Sequence, residues 1–178
     1  MDATLMTDIP APSVYRACSA EDWRAAAALL AEHRSWLRRA AGLDLAAAQP
    51  TARAEFDDLA RFYRPPDGAL VVARLGGRPV GLTGVHRLAG RVGELKRMYV
   101  TPAARGHGLG RALLVEAIAA AVDLGFVELR LQTKPDLMAV ADRMYREHGF
   151  TDVDPYADLG LDGVATLALD LRRPAAGR

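Results

Sequence analysis

TPAARGHGLGRALL, residues 101–114, sets three glycines into the five positions 106–110, between two arginines and directly ahead of an apolar run. Before it, VGELKRMYV (92–100) alternates as a strand does; after it, Arg111 to Leu124 is apolar almost all round, as in a helix packed on a sheet. A strand, a glycine loop and a helix in series aim free backbone N–H groups and the positive helix end at one point, which is how a chain holds phosphate. Glycine lets the backbone approach such a ligand closely, and Arg105 and Arg111 add positive charge. A plain strand-to-helix turn needs one glycine, not three. Two familiar phosphate loops are excluded by spacing. No Gly-Lys pair exists to end a Walker A loop, and a G-x-G-x-x-G fingerprint would need glycine at Arg111.

Outward from this loop the chain reads as alternating elements. SVYRAC (13–18) is a short strand, and Ser19 can cap a helix carrying Trp23, Ala27, Leu30 and Leu37 on one stripe. TARAEFDDLARFY (51–63) predicts a second helix, stopped by Pro65 and Pro66. In GALVVARLGGRPVGLTGVHRL (68–88), two β-rich runs flank Gly76-Gly77-Arg78-Pro79, the pattern of a hairpin. Beyond the loop helix, FVELRLQT (126–133) is a strand. From Asp136 a helix carries Leu137, Val140, Ala141, Met144, Tyr145 and His148, with Gly149 as its stop, and ATLALDL (165–171) closes the series. This order predicts an α/β fold with one mixed, mostly antiparallel sheet of six or seven strands and helices on both faces. Residues 1–12 read as a loose leader, 13–172 as one domain and 173–178 as a tail.

Composition narrows the function classes. With 178 residues, 51% hydrophobic and 25% charged, the chain has the balance of an ordinary globular domain. A net charge of +1 offers no basic surface for nucleic acid, and no uncharged stretch approaches the roughly 18 residues of a membrane span. MDATLMTDIPAPS has an early acid and no cationic apolar segment, so it does not read as a secretion signal. The single cysteine, Cys18, suits a reducing cytoplasm, and the four scattered histidines have no metal-ligand spacing, so no metal is expected.

The string Arg105-Gly106-His107-Gly108-Leu109-Gly110 resembles the R/Q-x-x-G-x-G/A signature of the GNAT superfamily of acetyl-CoA-dependent N-acetyltransferases. ELKRMYVTPAARGHGLGRALL looks like the family's fourth strand, pyrophosphate loop and following helix. AVADRMYREHGF (139–150) looks like its later A-x-x-L-Y-x-x-x-G-F helix. In layout the resemblance runs from Val14 to Leu171, and in motifs from Glu94 to Phe150.

The resemblance implies the GNAT fold and a site. Backbone amides of Arg105, Gly106, His107, Gly108, Leu109 and Gly110, with Arg111 beside them, would hold the pyrophosphate of acetyl-CoA. Main-chain groups of Met98 and Val100 would pair with the pantetheine arm, and an N–H near Met98 would face the thioester carbonyl, where negative charge develops. Glu94, eleven residues before Arg105, stands at the offset of the catalytic glutamate in the family's histone-acetylating branch. It is expected as the base that deprotonates the amine, against a plainer reading as a solvated residue or a partner of Lys96 or Arg97. Tyr145 matches the family's late-helix tyrosine and is expected to protonate, or hydrogen-bond, the departing thiolate, although it lies on an apolar stripe. Met138 departs from the pattern, which often has a cofactor-contacting asparagine there; Asp136 is the alternative cap of that helix.

Further expectations concern the acceptor. His86 could face its pocket, against the reading of a satisfied sheet histidine, and Tyr156, in the loop VDPYADLGLDG (153–163), could close over it. Trp23, Trp36 and Tyr63 lie on the first two helices, which wall the acceptor site in the family. His107 reads as a bystander whose backbone binds phosphate, and nothing marks Cys18 as a covalent carrier. The activity implied is direct transfer of acetyl from acetyl-CoA to a primary amine of a small molecule in a ternary complex. The rival is an acyl-CoA-binding sensor without turnover, which would need neither Glu94 nor Tyr145. Members of the family often pair, so a homodimer is open.

Overall fold

Alternating side chains along GALVVARL divide between two cores: Val71 and Ala73 enter one, Leu70 and Val72 the other, and all four are buried. A strand apolar on both sides must be covered on both sides, and the fold is organised around that need. The computed structural model describes residues 11–44, Ala47 and 52–172. The expected tail, and the expected leader apart from residues 11 and 12, lie outside the described residues.

Seven strands form one sheet: β1 (Ser13–Arg16), β2 (Gly68–Leu75), β3 (Arg78–Ala89), β4 (Val92–Val100), β5 (Glu128–Thr133), β6 (Thr151–Asp152) and β7 (Ala165–Asp170). Their order is β1-β2-β3-β4-β5-β7-β6, and the β4–β5 pair alone is parallel. Gly76 and Gly77 turn β2 into β3 with φ of 57° and 76°, conformations glycine adopts without strain. On one face lie α1 (Ala20–Ala41), α2 (Ala52–Asp57) and α3 (Leu59–Phe62); on the other lie α4 (Leu109–Asp123) and α5 (Ala139–Glu147). Ser19 caps α1 in a reciprocal capping box with Asp22, as expected of it. Within α4, Leu113 and Leu114 are adjacent and both fully buried, so truncating either to alanine would cost about 2–5 kcal/mol.

Two boundaries differ from the expectations, each for a local reason. The single helix expected over 51–63 is two, because the Asp58 side chain accepts from the Arg61 amide at 2.9 Å and restarts the turn. The last helix begins at Ala139, not Asp136. Leu137 and Met138 donate instead to the Lys134 carbonyl at 3.0 and 2.8 Å, so 134–138 is a turn. Asp136 is therefore no cap; it ion-pairs with Lys134 at 2.7 Å, and the cap position falls on Met138, whose side chain caps nothing.

Two irregularities of β4 shape the sheet's centre. Leu82 pairs with Tyr99 and Gly84 with Lys96, so Thr83 alone faces Arg97 and Met98, which is a β-bulge. Bulges bend and over-twist a strand, and here β4 pairs with β5 only from Val92 to Glu94. Beyond Glu94 the two strands diverge. Leu95–Val100 and Leu131–Thr133 then face each other across a gap with no strand pairing between them.

Candidate functional site

The glycine loop follows β4 and a short 3-10 turn, Pro102–Ala104. Gly106 and Gly108 have φ of 84° and 74°, the left-handed region that a β-carbon penalises. A β-carbon built on either would meet nothing within 4 Å, so the space over the loop is open. Gly108 is the N-cap of α4 and supplies no side-chain cap, which leaves the first-turn amides to another partner. The two arginines are less available than the sequence suggests. Arg105 donates through Nε to the Val100 carbonyl at 3.2 Å and lies over the Trp36 ring at 5.9 Å; Arg111 pairs with Glu147 at 2.8 Å. Both guanidinium groups thus already have partners, and the loop itself presents backbone to the open space. His107 turns inward, with Nδ1 at 3.2 Å from the carbonyl oxygens of both Ala104 and Arg105.

A groove of about 610 Å³ runs from this loop between α4 and α5, lined by Trp36, Met98, Val100, Gly106, Gly108 and Met144 among others. It meets a second, smaller cavity at Met98, Leu137 and Met138, which line both. That cavity, about 110 Å³, occupies the gap where β4 leaves β5 and contains Glu94, Lys96, His33, Thr133 and Tyr145. Groove and cavity thus adjoin at the gap in the sheet, with Met98, Leu137 and Met138 between them.

Inside the cavity Glu94 is held from two sides. The Tyr156 hydroxyl donates to its Oε1 at 2.9 Å and Lys96 Nζ to its Oε2 at 3.1 Å, with the Lys96 side chain only 5% exposed. The pairing with Lys96 anticipated as the plainer role of Glu94 is thus present, and it fixes the carboxylate at the cavity rather than in solvent. Burial, and then the Glu94 charge, push the Tyr156 hydroxyl well above the usual phenol range, so it remains a donor. Tyr145 is buried against Phe150 at 5.9 Å between ring centres. Its hydroxyl makes no hydrogen bond among the described residues, and burial, with a smaller contribution from Asp142, raises its pKa well above the ordinary value.

Other expected residues fall elsewhere. His86 stacks on Phe62 at 3.9 Å, edge-on to Tyr63, and does not line the cavity. Trp23, on α1, packs half-buried against the core, whereas Trp36 reaches the groove. Among the described residues no group of three His, Cys, Asp or Glu side chains could hold a metal ion, and no helix is long and apolar enough to cross a membrane.

The sequence reading missed several residues. His33, 5% exposed, stacks on Tyr99 at 5.0 Å and lines the cavity. Its Nδ1 has no hydrogen-bond partner, and burial, with the nearby Arg97 charge, lowers its pKa to about 4. The loop after β6 is tied down at three points. Tyr156 reaches Glu94, Gln132 Nε2 donates to the Ala157 carbonyl at 2.8 Å, and Lys134 Nζ to the Asp162 carbonyl at 2.8 Å. Its Leu159 and Leu161 roof the cavity.

Beneath the bulge lies a buried ionic network. Arg97 has φ of 60°, and it is the one non-glycine residue among those described with positive φ, at a cost of about 1–2 kcal/mol. Its Nε and Nη2 donate to Glu55 Oε1 and Oε2 at 2.8 and 2.7 Å, and the Tyr63 hydroxyl adds a third bond to Oε1 at 2.6 Å. Glu55 is 0% exposed. Burial alone would raise its carboxyl pKa, but the Arg97 bonds and charge more than offset this and hold it below the usual range. Removing one partner of such a pair costs about 3–5 kcal/mol. A periodicity reading assigns Glu55 to a solvated helix face and offers no signal for this contact.

Comparison with known proteins agrees with this geometry. A model of the acetyltransferase (GNAT) family matches residues 27–150. An uncharacterized N-acetyltransferase of Schizosaccharomyces pombe is 35% identical over 122 residues, which cover 66% of this chain and 74% of that protein. A GNAT-family acetyltransferase structure from Staphylococcus aureus Mu50 superposes with a TM-score of 0.70 at 19% identity, covering 90% of this chain and 99% of that one. PaiA N-acetyltransferase from Thermoplasma acidophilum, solved in complex with coenzyme A, gives 0.66 at 20% identity over 90% and 99% of the two chains. At these identities the two structures speak for a shared fold.

Proposed function

Since the chain belongs to the acetyltransferase (GNAT) family and is an acetyltransferase, we propose that it transfers acetyl from acetyl-CoA to a primary amine of a small molecule, by direct attack in a ternary complex. The observation that carries this reading is the meeting of groove and cavity at Met98, Leu137 and Met138. It lets a donor lying over the glycine loop and an acceptor beside Glu94 approach from opposite ends of one path. The open space over Gly106 and Gly108, with the uncapped first turn of α4, suits a pyrophosphate. Amides from Arg105 to Gly110 would hold it, and main-chain groups of Met98 and Val100, on the unpaired edge of β4, would hold the pantetheine arm.

Acetyl-CoA supplies the activated thioester; the chain's residues supply position and proton handling. An amine arrives as an ammonium, and Glu94 takes its proton, directly or through one water. Tyr156 and Lys96 orient the Glu94 carboxylate for this. The Met98 N–H donates to the carbonyl oxygen as a nitrogen–carbon bond forms there, a contact that can be worth roughly 3 kcal/mol. As the carbon–sulfur bond breaks, the Tyr145 hydroxyl donates to the sulfur. The leucines at 37, 159 and 161 that line the cavity favour an acceptor with an apolar body behind its amine.

A thiol-release screen with acetyl-CoA against an amine library, with product masses measured, tests this reading. Acetylated product from a small amine is the expected result. Tight acetyl-CoA binding without transfer to any amine would overturn it.

A further inference from the structure

Bulged backbone at Arg97 needs a cause, because neither the strand nor the residue type favours it. Several groups act on it from both sides of the strand. The β3–β4 register leaves Thr83 opposite both Arg97 and Met98, and the Thr83 hydroxyl donates to the Lys96 carbonyl at 3.0 Å, which serves one group the bulge displaces from the ladder. The Arg97 side chain is drawn off the sheet to Glu55 on α2, where the fork of the guanidinium meets both carboxylate oxygens. The Phe56 ring lies under that guanidinium at 5.2 Å. Tyr63, following α3, closes the network from the far side. It fits because residue 84 is glycine: a β-carbon there would lie 2.2 Å from the Tyr63 ring. Two helical segments and a glycine of the neighbouring strand therefore converge on one side chain.

We infer that Glu55, with Tyr63, is a positioning residue for acetyl transfer: by clamping Arg97 it holds the left-handed turn that aims the next residue's main-chain N–H, that of Met98, into the reaction path. The inference rests on the reading of Met98 as the donor to the thioester carbonyl. It adds a residue remote from both substrates that sets the direction of that donor. Glu55 lines neither the groove nor the cavity, so it acts through Arg97 and not by contact with a ligand. The clamp is buried and bidentate, which suits this role. A surface pair would rearrange with the side chains, whereas a dry fork-on-fork contact has one geometry.

Two variants and two readouts test it. Glu55→Gln keeps the shape and removes the charge. It should lower kcat by about 10²-fold, the usual loss when one such donor is withdrawn, while KM for acetyl-CoA stays within about threefold. Glu55→Gln/Arg97→Gly removes the clamp and also the need for it, since glycine takes positive φ unaided. It should recover at least about tenfold of the loss. A residue that only supports the fold would show no such rescue and no separation of kcat from KM. Should Glu55→Gln fail to fold, the double variant decides alone: within about tenfold of the parent supports the clamp, and a folded enzyme about 10²-fold or more below the parent overturns it. The second readout needs no turnover. In ¹⁵N-labelled protein, Glu55→Gln or Tyr63→Phe should shift the Met98 amide resonance and weaken the strong intraresidue amide–Hα contact that positive φ creates at residue 97. Unmoved resonances at 97 and 98, or parental kcat in Glu55→Gln, would overturn the inference. If the parent itself acetylated no amine, the assigned chemistry would fail while the resonance arm still judged the clamp.

Discussion

Replacing Tyr145 with phenylalanine separates packing from chemistry more cleanly here than at most buried tyrosines. The ring of Tyr145 packs on Phe150, and its hydroxyl has no hydrogen-bond partner among the described residues, so the substitution breaks no bond of the resting protein. Its effect on folding should stay within about 0.5 kcal/mol. The kinetic effect follows from acid strengths. An ordinary phenol titrates near about 10 and an ordinary thiol near about 8.5, so full proton transfer to a departing thiolate is uphill by about 2 kcal/mol. Burial raises the Tyr145 pKa further and makes transfer harder still. In the proposed role the phenol would therefore help as a hydrogen-bond donor to the thiolate, an interaction with a charged group worth about 1.5–3 kcal/mol. Tyr145→Phe should then lose about 10- to 10²-fold in kcat. Because the raised pKa keeps the phenol neutral, the ratio of parent to variant should be flat between about pH 7 and pH 9. Thiol release under saturating acetyl-CoA measures the rate, and thermal unfolding the stability. An acetyl donor with a better leaving group should narrow the gap. A variant as fast as the parent on acetyl-CoA would refute the reasoning and return Tyr145 to the core.

Three further outcomes are expected. Glu94→Gln removes the base and leaves the nearly buried Lys96 without its anion; turnover near neutral pH should fall by about 10²-fold or more, with acetyl-CoA binding intact and part of the loss recovered at high pH. Gly110→Ala is the clean test of the loop. Gly110 lacks positive φ, and an added β-carbon meets only Met144 Sδ at 3.7 Å, so calorimetry should show weakened coenzyme A binding with an unchanged melting temperature, whereas a residue at Gly106 or Gly108 would also strain the backbone. His33 stays neutral when folded, with its pKa lowered to about 4, so from about pH 6.5 to pH 5 the unfolded chain takes up a proton that the native one does not. Stability should fall over that window by on the order of 1–2 kcal/mol in denaturant titrations, and His33→Gln should flatten the slope.

Much of this protein is written in runs of neighbouring residues. The glycine loop, the strand before it and the helix after it are contiguous, and their conformations follow from backbone sterics and local periodicity, so residues 92–124 disclose a strand, loop and helix unit without the rest of the fold. Glu94 and Tyr145 were legible through spacing to motifs, and the hairpin at Gly76-Gly77 through the dihedral freedom of glycine. What the chain could not disclose is who meets whom across the sheet. Nothing near Glu55 in sequence hints that its carboxylate lies under Arg97, 42 positions on, or that Tyr156 reaches 62 positions back to Glu94. His33 reads as one more residue of an amphipathic helix, and His86 as a candidate for a pocket it does not line. Those pairings go with where β4 bulges and parts from β5, which is a matter of register across the sheet and not of local sequence. Local sequence determined the glycine loop and its flanking strand and helix; only packing of distant segments decided where Glu94, Tyr145 and Tyr156 would stand.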